Sequence, residues 1–169
     1  MEINELQKIA ESQNLTIKIQ VREVFAIKIF RIIVARVDDH SVKIWGEIKG
    51  WTLPLKAGLQ LDTLKILKGS PKYVSELIWA TTMTWALEKT TCKFARLLAI
   101  YDCEGYSKKL VRYFNLIGFK VVKEVGSSPS DLILRLIWGG AGTLMMGDCS
   151  IIQNKLETKF IKKELYYPA

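Results

Sequence analysis

The feature that most constrains the fold of this chain is a predicted helix that is apolar around most of its circumference. The run from about Tyr73 to Lys89 is helix-compatible throughout, and the apolar residues that cover it are Leu77, Ile78, Trp79, Ala80, Met83, Trp85, Ala86 and Leu87. A helix of this composition is normally buried. We therefore predict a helix inside the molecule at the middle of the sequence.

Two short segments flank this helix and predict strands. Leu59–Ile66 alternates apolar and polar residues, the period of a half-buried strand, and the run from Phe94 to about Tyr101 is mostly apolar, as in a central strand. Two strands joined by a buried helix form a β-α-β crossover. Ser70 is the predicted N-cap of the helix and Pro71 its first residue.

The N-terminal part, residues 1–58, is predicted to hold one helix and several strands. A short amphipathic helix is indicated over residues 4–12, and residues 15–19 alternate as a strand does. The run over residues 21–37 is ambiguous between helix and strand, although its β-branched residues favour strand toward its end. A turn signal at Asp39 predicts a hairpin that leads into the central unit.

The C-terminal part predicts a helix, two paired strands and a last helix. The helix covers residues 104–118, and a strand follows over residues 119–125. The apolar run over residues 132–138 is interpreted as a strand antiparallel to it. Residues 139–142, rich in glycine, are interpreted as a chain reversal or bulge after that strand, and residues 151–165 as a basic helix.

The order of these elements resembles the core of the GNAT N-acetyltransferase superfamily from Leu59 to Trp138. The best local match is the run over residues 110–119, because its Gly118-Phe119 ending is similar to the family's helix ending Leu-Tyr-x-x-x-Gly-Phe. The chain also resembles uncharacterised GNAT-like proteins of oxygenic phototrophs. The resemblance implies an α/β (α+β) fold of the acyl-CoA N-acyltransferase type, with a mixed sheet of six to seven strands and helices on both faces.

The expected organisation is one domain over residues 1–169. Residues 1–58 hold the N-terminal helix and strands, residues 59–138 form the core that resembles the family's CoA site, and residues 139–169 form a C-terminal extension. A chain of this length is consistent with one domain.

The resemblance implies an acetyl-CoA site between the two central strands, with the diphosphate on amide groups at the helix start. The turn here departs from the family signature Arg/Gln-x-x-Gly-x-Gly/Ala, because Gly69 is its one glycine and Pro71 removes a donor. Lysine side chains could compensate by charge pairing. The alternative is a plain helix start with solvated lysines. The implied cofactor-binding residues are Leu64, Ile66, Lys68, Lys72, Tyr73, Val74, Ser75 and Lys109.

Acetyl transfer to an amine needs a base and an acid. The family commonly uses a tyrosine as the acid, but Phe114 stands at that position and has no proton to give. Our catalytic candidates are Tyr113 as the acid and Asp62 or Asp102 as the base. Alternatives left open are Tyr101, Tyr106, Glu47 and Glu104. In the competing, non-catalytic interpretation Phe114 packs in the interior and Tyr113 is exposed.

The composition limits the remaining classes of function. The net charge of +8 favours an anionic partner without choosing one. Three cysteines without metal-ligand spacing and a single histidine argue against a zinc site. The chain has no apolar run long enough to span a bilayer, and its N-terminus lacks the layout of a secretory signal, so we expect a cytoplasmic protein.

Three functions remain open from the sequence. The first is a GNAT-like acetyl-CoA-dependent N-acetyltransferase with an unknown amine or protein acceptor. The second is a catalytically inactive GNAT-fold binding or assembly factor. The third is a basic nucleic-acid-binding protein, which we expect least because the chain has charge without a recognition motif. With any of these functions the chain could form a homodimer.

Overall fold

The structure describes residues 1–71, 73–100 and 106–166 in this computed structural model. This part of the chain contains seven strands, five α-helices and a short 3-10 helix, Pro129–Asp131. The strands are β1 (Thr16–Val24), β2 (Ile27–Asp38), β3 (Ser41–Thr52), β4 (Leu59–Ile66), β5 (Phe94–Ile100), β6 (Lys120–Val125) and β7 (Gly142–Asp148). The helices are α1 (Ile3–Ser12), α2 (Val74–Lys89), α3 (Tyr106–Ile117), α4 (Leu132–Trp138) and α5 (Cys149–Tyr166).

The strands form one mixed sheet in the order β1-β2-β3-β4-β5-β7-β6. Neighbours are antiparallel except β4 and β5, which are parallel and are joined through α2. The predicted β-α-β crossover and the mixed α/β class are therefore confirmed. The ambiguous run over residues 21–37 is a hairpin, in which β1 and β2 meet at the turn Phe25-Ala26.

Helices cover both faces of the sheet, but unequally. Helix α2 is buried from Leu77 to Ala86 and packs with α1, α3 and α5 on one face, which we call the helix-covered face. The core on this face includes Phe30, Ile32 and Ile48 of the first three strands. Helix α4 packs on the opposite face, where Trp138 joins a second, smaller cluster with Val125 and Leu144.

The prediction of a strand over residues 132–138 is wrong. These residues form α4, which ends at Gly139 in the left-handed conformation, φ 75°, with its N–H donating to Arg135 O at 2.7 Å. The partner of β6 is instead β7, which lies between β5 and β6. Gly142 does not reverse the chain but begins β7, where its backbone lies too close to Ala99 O for a side chain.

The predicted start of α2 at Ser70 and Pro71 is also wrong. The helix begins at Val74 with Tyr73 as its N-cap residue. Pro71 O accepts a hydrogen bond from Val74 N at 3.2 Å, a bond across three residues that belongs to a turn. The segment before α2 is therefore a turn, and the helix starts where apolar packing against the sheet begins.

Within the described residues, no helix combines the length and the apolar content that crossing a lipid bilayer requires.

Candidate functional site

The two central parallel strands separate halfway along their length. Only Leu59, Gln60 and Leu61 of β4 have partners in β5, namely Ala95, Arg96 and Leu97. Both strands continue beyond this point, β4 to Ile66 and β5 to Ile100. A slot therefore opens between them at the carboxyl ends of the strands, the side of an α/β sheet on which ligands usually bind.

A bulge at Asp62 marks the place where the slot opens. In the pairing of β3 with β4, Gly50 lies opposite Leu61 and Lys49 lies opposite Thr63, so Asp62 is the extra residue. A bulge bends its strand and increases the local twist. The bulge therefore provides a local cause for the divergence of β4 from β5.

A small apolar cavity of about 40 Å³ lies in the slot. Leu61, Leu64 and Leu97 line it from the two strands, while Trp79 and Phe114 line it from α2 and α3. Asp62 and Thr63 contribute the polar part of the lining. Phe114 packs against Trp79 with ring centroids 6.1 Å apart, as expected for an interior residue.

The side chain of Val74 points away from the start of α2 and into the sheet. A Cβ atom on Gly46 would lie 2.9 Å from Val74 Cγ1, which shows how closely Val74 approaches β3. Tyr73 is half-buried and packs against the core, and Gly69 has a φ of 79° in the exposed turn before it. The Val74 side chain therefore does not obstruct the helix start, although Val74 N is bonded to Pro71 O.

Tyr113 is half-buried and joins α3 to α2 through its hydroxyl group. Trp79 Nε1 donates to Tyr113 Oη at 2.9 Å, and Ser75 Oγ lies 2.8 Å from the same atom. The exposure expected of a non-catalytic Tyr113 is not observed. Sequence analysis missed Trp79 as a partner, because its position in an apolar helix indicated packing alone.

The remaining candidate residues are distributed around the slot. Leu64 lines the cavity, Ile66 lies opposite Gly46, and Lys68 is exposed after β4. Lys109 is exposed on α3 and lies one turn before Tyr113, on the same side of that helix. Lys72 and Asp102 lie outside the described residues, as do Tyr101, Glu104 and the side chain of Tyr106.

The two described candidate bases differ in their surroundings. Asp62 is exposed at the bulge, and Thr63 Oγ1 donates to its Oδ2 at 2.8 Å. Glu47 is buried, and Arg31 Nε donates to its Oε2 at 2.7 Å while Lys49 Nζ lies 3.4 Å from Oε1. Burial raises the pKa of Glu47, but hydrogen bonds and charge from Arg31 and Lys49 outweigh it and hold the pKa below its ordinary value. A carboxylate held in this way is a poor proton acceptor, so Asp62 is the better candidate.

No family model matches the chain, and no curated protein sequence matches it. Among solved structures it is similar to the loading GNATL domain of CurA from Lyngbya majuscula, with 15% identity, coverage of 88% of this chain and 92% of that one, and a TM-score of 0.47. It is also similar to nourseothricin acetyltransferase, with 12% identity, coverage of 80% and 88%, and a TM-score of 0.47.

A third similar structure is aminoglycoside 6'-acetyltransferase type Ii, with 18% identity, coverage of 70% of this chain and 69% of that one, and a TM-score of 0.41. Likenesses at these values carry no weight for function, which rests on the geometry of the described residues.

Proposed function

We propose that this protein is a GNAT-like acetyl-CoA-dependent N-acetyltransferase whose acceptor is an amine. The observation that carries the proposal is the separation of β4 from β5 at the Asp62 bulge. Beyond Leu61 the ladder between the two strands ends, so backbone groups of β4 that face the slot can pair with a ligand. The pantetheine arm of CoA contains two amide groups and can pair with a strand as a peptide does.

The residues around the slot fit the parts of such a substrate. The apolar lining from Leu61, Leu64 and Leu97 suits the thioester end. The start of α2 offers the positive end of its dipole to a diphosphate, because the first amides of a helix lack intrahelical acceptors. Lys68 and Lys109 are exposed on the segments beside it and supply positive charge. Among the implied residues, Tyr73 is the N-cap residue of α2 and Val74 and Ser75 begin the helix, so these three form the helix start at which the diphosphate binds.

In the acetyl-transfer step, each polar group of the site has one role. The amine nitrogen attacks the thioester carbonyl, the new C–N bond forms, and the C–S bond breaks. Asp62 takes the proton lost by the amine, directly or through one water molecule. A strand N–H donates to the developing oxyanion, and Tyr113 donates its proton to the departing thiolate. Hydrogen bonds from Trp79 and with Ser75 position the Tyr113 hydroxyl group.

Thermal unfolding with and without millimolar acetyl-CoA tests the proposal. A ligand well above its dissociation constant stabilises the native state by a few kcal/mol, so we expect a clear increase in Tm. The Asp62→Asn variant keeps that increase and loses acetyl transfer to a panel of amines, since the change removes a proton acceptor and no part of the slot. If acetyl-CoA does not shift the melting curve, the proposal that the protein is an acetyl-CoA-dependent enzyme is rejected.

A second candidate is a catalytically inactive GNAT-fold binding or assembly factor. Two observations favour it. Phe114 occupies the position of the usual tyrosine, and the cavity of about 40 Å³ leaves little room between the strands. This candidate predicts that acetyl-CoA leaves Tm unchanged and that no amine is acetylated, even by the wild-type protein at high concentration.

A further inference from the structure

The register of the sheet places most of its cationic side chains on the face opposite α2. Residues that lie opposite one another in neighbouring strands point to the same face of a sheet. One continuous row crosses all seven strands and consists of Arg22, Ile29, Trp51, Gln60, Arg96, Met146 and Lys120. Seven strands span about 29 Å at a separation of about 4.8 Å.

Two further rows on this face also carry basic residues. One consists of Gln20, Arg31, Lys49 and Thr63, and the other of Lys18, Ile33, Glu47 and Lys65. We call the positions of these three rows the cationic face. Its seven basic residues are Lys18, Arg22, Arg31, Lys49, Lys65, Arg96 and Lys120.

The charge of the cationic face is almost unopposed. Glu47 is the one acidic residue in the three rows, and it is already paired with Arg31 and Lys49. Lys18 and Arg22 are exposed on β1, as is Lys120 on β6 at the far edge of the sheet. The described helices α1, α2, α3 and α5 pack on the other face, whereas α4 packs on this one, over Leu98, Val125 and Leu144. From β1 to β4 the face therefore presents a broad positive surface to a partner of opposite charge.

An aromatic ring and neutral hydrogen-bonding groups lie among the cations. Trp51 is half-buried at the third position of the longest row, midway between Arg22 and Arg96. Gln20 and Thr63 stand in the row beside it and retain solvent access. Positive charge binds a phosphate backbone, an aromatic ring stacks on a base, and amide and hydroxyl groups can bond a ribose 2′-hydroxyl.

We propose that the cationic face binds single-stranded RNA. A lipid surface is less well matched, because Trp51 is half-buried and cannot insert deeply. An acidic protein would satisfy the charge but gives the central ring and its polar neighbours no particular role. This inference is independent of the slot between β4 and β5, so RNA binding does not require acetyl-CoA.

Fluorescence anisotropy with a labelled mixed-sequence RNA of 12 nucleotides tests the proposal. The face variant is Lys18→Gln/Arg22→Gln, and the matched control is Lys8→Gln/Lys159→Gln, which removes the same charge from exposed positions on α1 and α5. Each lost phosphate contact lowers the slope of log affinity against log salt by about 0.7. We expect the face variant to lower the slope by about 1.4 and the control to leave it unchanged.

Two further measurements separate RNA from other polyanions. Trp51→Leu should weaken binding about tenfold at unchanged salt slope, because one base loses its stacking surface. DNA of the same sequence should compete less well than the RNA, and polyglutamate should not compete at matched charge. The proposal is overturned if the face variant and the control lower the salt slope equally. It is also overturned if DNA or polyglutamate competes as well as the RNA does. Circular dichroism establishes that each variant is folded, and Lys120→Gln tests the far edge of the same face.

Discussion

The indole N–H of Trp79 donates to the hydroxyl group of Tyr113 at 2.9 Å, so the two helices beside the slot are joined by a hydrogen bond from a buried donor. Trp79 is 1% exposed, and its N–H therefore has no access to water in the native state. The bond holds the candidate acid in place and at the same time satisfies a buried polar group. Substitutions at Tyr113 and Ser75 therefore test how much this hydroxyl group and its partners contribute to stability.

Tyr113→Phe removes the acceptor and leaves the Trp79 N–H unpaired. We expect a loss of about 1–3 kcal/mol in the free energy of unfolding, the usual cost of a buried unsatisfied donor. Ser75→Ala removes the other partner of the hydroxyl group and keeps the bond from Trp79, so its cost should be smaller. Urea denaturation measures both. A Tyr113→Phe protein as stable as the wild type would contradict the role of the bond.

Gly46→Ala should displace the start of α2 from the sheet. The added Cβ would lie 2.6 Å from Ile78 Cδ1 and 2.9 Å from Val74 Cγ1, both on α2. We expect a destabilisation of about 1–3 kcal/mol from overpacking, with weaker binding of acetyl-CoA. Gly126→Ala is the matched control, because no atom lies within 4 Å of its Cβ position and its φ is not positive. Equal stability of the two variants would show that the close approach does not matter.

Asp148 caps α5 and should make the stability of the protein depend on pH. Its Oδ1 accepts from Ser150 Oγ and from the N–H groups of Ser150 and Ile151. The hydrogen bond from Ser150 is the main cause that holds the Asp148 pKa below its ordinary value. The stabilisation is therefore present above the ordinary pKa and is lost as the pH falls through the lowered one.

Variants at position 148 separate the cap from the charge. Asp148→Ala should cost about 1 kcal/mol near neutral pH, and the difference from the wild type should shrink in acid. Asp148→Asn should keep most of the cap and lose the dependence on pH. Denaturation midpoints measured from acidic to neutral pH check both, and an unchanged pH profile in the asparagine variant would count against the assignment.

The ion pair of Glu47 with Arg31 should matter more than its pair with Lys49. Arg31 donates two hydrogen bonds to Glu47, whereas Lys49 Nζ lies 3.4 Å away. We expect Arg31→Met to destabilise the protein by about 2 kcal/mol, because a largely buried carboxylate loses its main partner, and Lys49→Met to cost clearly less. Since the pKa of Glu47 is lowered in the folded state, the loss should diminish as the pH falls through that pKa.

A second substitution checks this interpretation. Adding Glu47→Gln to Arg31→Met removes the unpaired charge, so part of the lost stability should return. Chemical denaturation of the single and double variants measures the coupling between the two residues. A double variant less stable than Arg31→Met alone would show that packing by the arginine, and not its charge, supports the carboxylate.

The central unit could be predicted because its local signals and its burial agree. The alternation over Leu59–Ile66 and the apolar circumference of the following helix each specify one structure, and both were confirmed. The run Leu132–Trp138 has no such agreement, since a short apolar run fits either a strand or a helix. Its assignment is decided by β7, which occupies the place beside β5 that a strand over these residues would need.

The site could be predicted only in outline. The resemblance located the slot between β4 and β5, but the bulge at Asp62 is visible only in the register with β3. The hydrogen bond between Trp79 and Tyr113 joins residues 34 positions apart, which no local pattern reveals. The same holds for the cationic face, since lysines and arginines distributed along the chain come together only when seven strands are aligned. The assignments of Asp62, Tyr113 and Lys109 to catalysis and cofactor binding stay predictions.

The single extra residue in β4 also determines which way the strand's side chains point. Leu61 and Leu64 are three positions apart and would face opposite sides of a regular strand, yet both lie against the core. The insertion of Asp62 resets the alternation, so apolar side chains remain inside on either side of it. If Asp62 paired as a regular strand residue, without the bulge, the outer half of β4 would turn over and Lys65 would be directed toward α2 in place of Leu64. Deleting Asp62 would instead leave Leu61 and Leu64 two positions apart and both against the core.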